Sequence, residues 1–268
     1  MVTRLRPSSS FFGTPAVSPA FDAGWGITTG AVRRHLIASS PPWKVAAFNT
    51  QEEPSVAETS ASVVDVLIAQ FVGAPLSAQS ISGTLKGQMR CATSDSGGNA
   101  DMRAQLLAKV VSNDGSTVRG TLLGFDTGGL SSEWEWSAFT WRNRQFPRGG
   151  AQSLSPVSAQ DGDRVILEVG YRAHNTLTTS YTGYLRLERG EVASDLPEDE
   201  TSGLAYWPWF EFSSDLTFQP PEQRISAVFL EVVMNNPDPE IRVSTLILEV
   251  VSEEFWHGWG MVMDSGQD

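Results

Sequence analysis

Three histidines, His35, His174 and His257, are the chain's whole imidazole complement. They stand far apart, in neither the His-x-His nor the His-Glu-x-x-His spacing that brings zinc ligands together. A single cysteine, Cys91, excludes an intrachain disulfide and a cysteine-based metal cluster. The Gly-x-Ser-x-Gly elbow, the phosphate-binding loop and the dinucleotide fingerprint are all missing. Asp126-Thr127-Gly128 is the tripeptide that carries the catalytic aspartate of aspartic proteases, where two carboxylates share one proton. It occurs once, so a homodimer would have to supply the partner, and Gly129 follows in place of the usual Ser, Thr or Ala. The same residues make an ordinary turn, which is the preferred reading. Asp95-Ser96-Gly97-Gly98-Asn99-Ala100-Asp101 and Asp161-Gly162-Asp163 offer oxygen ligands for a calcium ion. Both lack the distal bidentate glutamate, and both read as hairpin turns. No catalytic residue, cofactor or metal is therefore expected, and the chain is expected to be non-enzymatic.

Aromatic residues offer a second kind of chemistry. Trp134 and Trp136 lie two apart, with Trp141 close behind, in SSEWEWSAFTWRNRQF. On a strand, residues two apart share a face, and rings on a sheet face can stack on sugar rings. The preferred alternative places them in the core or at a subunit interface, because Trp is usually well buried and enriched at interfaces. Residues 1–60 are punctuated by Pro7, Pro15, Pro19, Pro41, Pro42 and Pro54. They also carry Phe11, Phe12, Phe21, Trp25, Trp43 and Phe48, too many aromatics for a disordered leader. An extended arm is expected there, with short strands at Ala31–Ile37 and Trp43–Phe48, and with Phe21, Trp25 and Trp43 as its docking contacts.

The elements that would position these residues are strands. Ser80–Ala92 alternates, with Ile81, Leu85, Met89 and Cys91 on one face and Thr84, Lys86, Gln88 and Arg90 on the other, the period of a half-buried antiparallel strand. Asp101–Ser112 and Thr117–Phe125 repeat the pattern across Asn113-Asp114-Gly115, residues that tolerate positive φ. Arg164–Arg172 and Thr179–Arg189 follow the Asp161 turn, and Ser153–Ala159 makes a short strand ahead of it. Trp207–Phe212 is expected at a sheet edge, because Pro208 cannot donate to a ladder. Gly190–Gly203 is acidic and reads as a solvated loop. Ile225–Met234 and Ile241–Val251 are β-branched runs that form a hairpin. No segment carries helical apolar spacing with caps. The expected fold is all-β: an antiparallel jelly-roll-like β-sandwich over 61–219, an N-terminal arm over 1–60, and a C-terminal hairpin and tail over 220–268.

Composition narrows the partners. The chain has 268 residues, enough for one large domain or two small ones. Its net charge is −12, from 31 acidic against 19 basic residues. That balance opposes binding to nucleic acid, where phosphates need a basic face, and to anionic membranes. No apolar run approaches the length of a membrane span, and the broken apolar run at the N-terminus is not expected to act as a signal peptide.

A resemblance rests on a succession of segments. Ala78–Cys91 (AQSISGTLKGQMRC), Arg119–Leu123 (RGTLL), Pro156–Tyr171 (PVSAQDGDRVILEVGY) and Asn175–Tyr184 (NTLTTSYTGY) occur in that order. Together they resemble the β-sandwich structural proteins of tailed bacteriophages that are often labelled minor tail proteins. FDAGWGITTGAVRRHL and WPWFEFSSDLT have the same look. The resemblance covers about 60–218 well, is carried by scaffold residues, and brings no catalytic or ligand residue with it. It implies a virion component in the tail or tip, with a capsid decoration protein as one alternative and a carbohydrate-binding host-attachment module on Trp134, Trp136 or Trp141 as another. It implies other virion proteins as partners and a homo-oligomer, with a trimer as the expected form.

Overall fold

The computed structural model describes residues 2–38, 52–97, 100–134, 139–147, 150–174, 179–187, 190–197 and 203–219, and the strands of 223–234 and 241–252. Trp43, Trp136 and His257 lie outside the described residues. Among the described residues, sixteen strands run in chain order: β1 Thr3–Pro7, β2 Val32–Ala38, β3 Ser55–Ala57, β4 Val64–Pro75, β5 Gln79–Ile81, β6 Thr84–Thr93, β7 Met102–Val111, β8 Val118–Leu123, β9 Arg142–Phe146, β10 Gln152–Ser153, β11 Val157–Ala159, β12 Arg164–Ala173, β13 Thr182–Arg186, β14 Trp209–Phe212, β15 Gln223–Met234 and β16 Ile241–Ser252. The chain divides into two units, Met1–Gln219 and Pro220–Asp268. Among the described residues there is no α-helix, and a single 3-10 turn covers Ser10–Phe12.

In the first unit twelve strands form one sheet in the order β3-β13-β6-β14-β1-β2-β4-β12-β7-β8, with β9 and β10 on the other edge of β6. β13 and β14 follow one another along the same edge of β6, so, laid flat, β3 and β12, like β14 and β4, would stand three strand spacings, roughly 14 Å, apart. Yet the Tyr171 hydroxyl of β12 donates to the Val56 carbonyl of β3 over 2.7 Å, and the rings of Phe71 on β4 and Phe210 on β14 lie 6.1 Å apart. The sheet is therefore folded on itself into two leaves, sandwich-like. One leaf is β13, β6 and β14 with their flanking strands; the other is β4, β12, β7 and β8. Leu85, Met89, Cys91, Phe146, Phe210 and Leu185 of the first leaf meet Val66, Ile68, Phe71, Leu106, Leu167 and Tyr171 of the second in one core.

The sheet is mixed. β2 runs parallel to β4, with Val32 opposite Ala69 and Leu36 opposite Gly73, and this corrects the expectation of a purely antiparallel fold. The cause is the arm. Its segment crosses the outer face of the second leaf before β2 begins, so β2 enters β4's edge from the same end as β4 itself. β1 then turns back between β2 and β14. The arm's described residues thus supply the two strands that join the leaves. β14 is also interior, between β1 and β6, and not at an edge. Pro208 only leads into the strand, whose first ladder residue is Trp209.

Two features hold this arrangement. Glu168 points outward from β12, yet it is fully buried. Lys109 lies 2.8 Å from its carboxylate, Gln70 donates at 2.9 Å, the Trp25 indole N–H donates at 2.6 Å and the Asp22 backbone N–H at 3.1 Å. Gln70 and Lys109 also donate to the Ala20 carbonyl. The lid over the carboxylate is the strap of residues 19–26, whose Trp25 packs on Leu67 and Leu107 with Phe21 and Phe125 beside it. At the seam, Glu211 of β14 pairs with Arg4 of β1 at 2.6 Å and with Lys86 of β6 at 3.0 Å. Burial alone would raise the Glu211 pKa, but the hydrogen bonds from Arg4 and Lys86 outweigh it and hold it below the ordinary value.

Glu168→Ala would leave buried Lys109 with only the Asp22 carboxylate, 3.9 Å away, as counter-charge, and removing one member of a buried pair costs about 3–5 kcal/mol. Urea unfolding should show that loss, and limited proteolysis should open the chain within residues 15–30 first. Glu211 has a depressed folded pKa, so its contribution is complete above its ordinary value of 4.5 and is lost as pH falls through the lower folded value. Glu211→Gln should lower stability by about 1 kcal/mol at neutral pH and flatten the decline of the urea midpoint as pH falls below 4.5. A variant whose acid limb matched that of the parent chain would remove Glu211 as a source of the decline.

Candidate functional site

The structure separates the aromatics that the sequence grouped. Trp134 is buried in the core, its ring 5.4 Å from that of Tyr171, so it belongs to the packing and offers no platform. Trp136 lies outside the described residues. Trp141 is half-buried on the outer surface of the first leaf. Of the arm residues, Trp25 is buried and donates to Glu168. Phe21 is half-buried beneath the Arg33 guanidinium, 4.0 Å above its ring. Both make their contacts within this chain.

Around Trp141 the register builds a strip. Tyr184 of β13 stands opposite Ala92 of β6. Arg142 stands opposite Cys91, which brings Trp141, one residue earlier, beside Ala92 from the other edge. Directly opposed residues share a face, and the small Ala92 lets the flanking rings of Tyr184 and Trp141 come within 6.4 Å. Phe139 extends the strip, its ring 5.6 Å from that of Tyr184. Phe139 is 61% exposed, and its φ is 54°, in the left-handed region where a bulky side chain is rare. Holding a non-glycine residue there costs about 1–3 kcal/mol, and the Phe139 N–H bond to the Thr93 carbonyl at 2.8 Å helps to fix it. Spacing could have pointed to Phe139, which lies two residues before Trp141, as Trp134 lies before Trp136. Tyr184 could not be found without the register.

Cations border the strip. Arg186 lies opposite Arg90, sits 4.2 Å over the Trp141 ring and pairs with Glu53. Burial, then the charge of Arg186, holds the Arg90 guanidinium below its ordinary pKa. Further along the same outer face is a cleft of about 280 Å³, lined by Lys86, Gln145, Asp195, Leu196, Pro197 and Trp209 among others. Its roof belongs to the acidic segment expected to be a solvated loop. Instead Leu196 is buried, its N–H bonds the Gln88 amide oxygen at 2.7 Å, its carbonyl accepts from Gln145, and Asp195 pairs with Arg4.

The remaining motifs resolve into turns. The Asp126 carboxylate accepts the Gly128 N–H at 3.0 Å, and Gly129 has φ 77°. Asp95 accepts the N–H groups of Gly97 and Ala100. Asp163, at the Gly162 turn, accepts from Gln160 and pairs with Arg119. Each carboxylate meets donors of its own neighbourhood. His35 lies on β2 and His174 follows β12; among the described residues no three His, Cys, Asp or Glu side chains gather as a metal-binding group.

No protein-family model matches the chain, and no curated protein matches it. Solved structures of a CocE/NonD family hydrolase from Staphylococcus aureus are similar to it. One has a TM-score of 0.38 and 8% identity, covering 63% of this chain and 33% of that one. Another has a TM-score of 0.26 and 10% identity, covering 82% and 35%. The chain spans about a third of the length of these structures. The expectation of a non-enzymatic chain is corrected on this finding, since the neighbours are hydrolases by name. That expectation rested on missing local motifs, and catalytic groups can also converge from distant segments. A likeness of this size transfers no activity to the present chain.

Proposed function

We propose that the chain is a structural component of a tailed-bacteriophage virion, a minor tail or tail-tip protein that makes assembly contacts. The observation that carries the reading is the second unit. β15 and β16 are twelve residues each and, among the described residues, pair only with each other. Val228 stands opposite Leu248, Phe229 opposite Ile247 and Leu230 opposite Leu246. These are consecutive apolar residues in both strands, the unbroken run that in sequence marks a strand covered on both faces. An isolated hairpin is marginal in water, strands apolar on both faces belong where both faces are covered, and open strand edges accept strands from another chain. Such an element suits assembly with other virion proteins and a closed homo-oligomer, a trimer in this reading, around a jelly-roll-like body.

The chain should appear in purified virions at a few copies per particle, measured by quantitative mass spectrometry against the major capsid protein. A ratio near one per capsid subunit would make it a capsid decoration protein, and its absence would remove it from the virion. In the purified protein, Phe229→Asp with Leu246→Asp should convert an oligomer to monomer by light scattering while the far-ultraviolet β spectrum stays. A monomeric parent chain would contradict the assembly role.

A further inference from the structure

We infer that the strip Phe139–Tyr184–Trp141 is a saccharide-binding site that takes neutral pyranose chains, a function separate from the assembly role and independent of it. Three observations lead there. The rings follow one another at 5.6 and 6.4 Å, inclined to one another by 58° and 68°, a faceted run of apolar ring surface against which the C–H face of a pyranose can pack. Phe139, the most exposed of them, is held outward from a backbone conformation that works against it; strain of that kind concentrates at ligand-contact sites. Arg186, stacked over one face of the Trp141 ring, and Glu53 on Arg186 place hydrogen-bonding groups beside the rings, so apolar ring surface and the hydroxyls of a sugar both find partners.

Charge and area choose the occupant. Arg186 is tied to Glu53, which leaves that pair neutral, and the chain's net charge of −12 repels a polyanion. A protein partner is less well served: fully buried aromatic rings supply about 150–250 Å² each, and three half-open ones fall short of the roughly 800 Å² per side of a stable interface. A sugar chain needs no such area.

The test uses the full chain and four soluble probes, cellohexaose, xylohexaose, maltohexaose and N-acetylchitohexaose, followed by calorimetry and tryptophan fluorescence. At least one should bind, with a change in fluorescence. Trp141→Ala should weaken that binding at least about tenfold. Phe139→Gly should weaken it too while raising the melting temperature, because glycine accepts the positive φ without strain. This pairing keeps the test decisive if the Trp141 variant folds poorly. Silence with all four probes, unchanged affinity in Trp141→Ala, or a lowered melting temperature in Phe139→Gly would each overturn the assignment, the last by showing that Phe139 is there for packing.

Discussion

The buried carboxylate of Glu168 is the constraint on which the rest of the first unit depends. A charge out of water is costly, and it is tolerated only when paired and fully hydrogen-bonded. Glu168 faces outward from the second leaf, so its own sheet cannot finish that task. Lys109 and Gln70 come from neighbouring strands, but the remaining donors, the Trp25 indole and the Asp22 N–H, come from the strap. Meeting the carboxylate therefore fixes the strap. Fixing the strap places Gly26 and Ile27 against Asp65, which starts the chain along β4 and delivers β2 in its parallel register. β2 positions β1, and β1 joins β14. One outward-facing acid thus reaches, through the arm, to the seam that holds two leaves together.

The first leaf uses the same device with neutral groups. Gln88, Asn143 and Gln145 face outward, and their amides bond the backbone of the crossing segment: Gln88 to Trp207, Asn143 to Leu204 and Gln145 to Leu196. Amides can donate and accept at once, so each secures a passing strap without a counter-charge. The two outer faces differ in consequence. Breaking an amide contact exposes a neutral group, whereas breaking the Glu168 set strands an ion, and the second leaf is the more brittle of the two.

The strand pattern was legible because alternation is a local property. Asp101–Ser112 and Arg164–Arg172 show the period that the structure uses, Ser80–Ala92 shows it only from Thr84 onward because its first residues belong to the separate strand β5, and Gly115 and Gly162 take the positive φ that their turns need. What alternation cannot carry is the identity of the outer environment. Gln70, Gln88, Lys109 and Glu168 occupy the polar phase of their strands, which implies solvent, yet straps distant in sequence bury them. The same limit applies to the aromatic strip. Phe139 and Trp141 share a spacing that a reader can see, but Tyr184 joins them only through the pairing of β13 with β6, and the positive φ of Phe139 has no mark in its residue type. Trp134 illustrates the opposite error: the two-residue spacing that suggested an open platform placed it instead in the core, against Tyr171.

Those differences separate the positions that fold the chain from those available for binding. Trp25, Trp134 and Trp209 are all buried, in the strap, in the core and on the seam; replacing any of them would disturb the body before it disturbed a ligand. Phe139 and Trp141 sit where the sheet is already complete, on the far side of Ala92 from the core strands that bury Cys91. A fold that needed only stability would place glycine at φ 54° and a polar residue at the most exposed ring. That it places phenylalanine there argues for a contact made outward, to something the first unit does not itself contain.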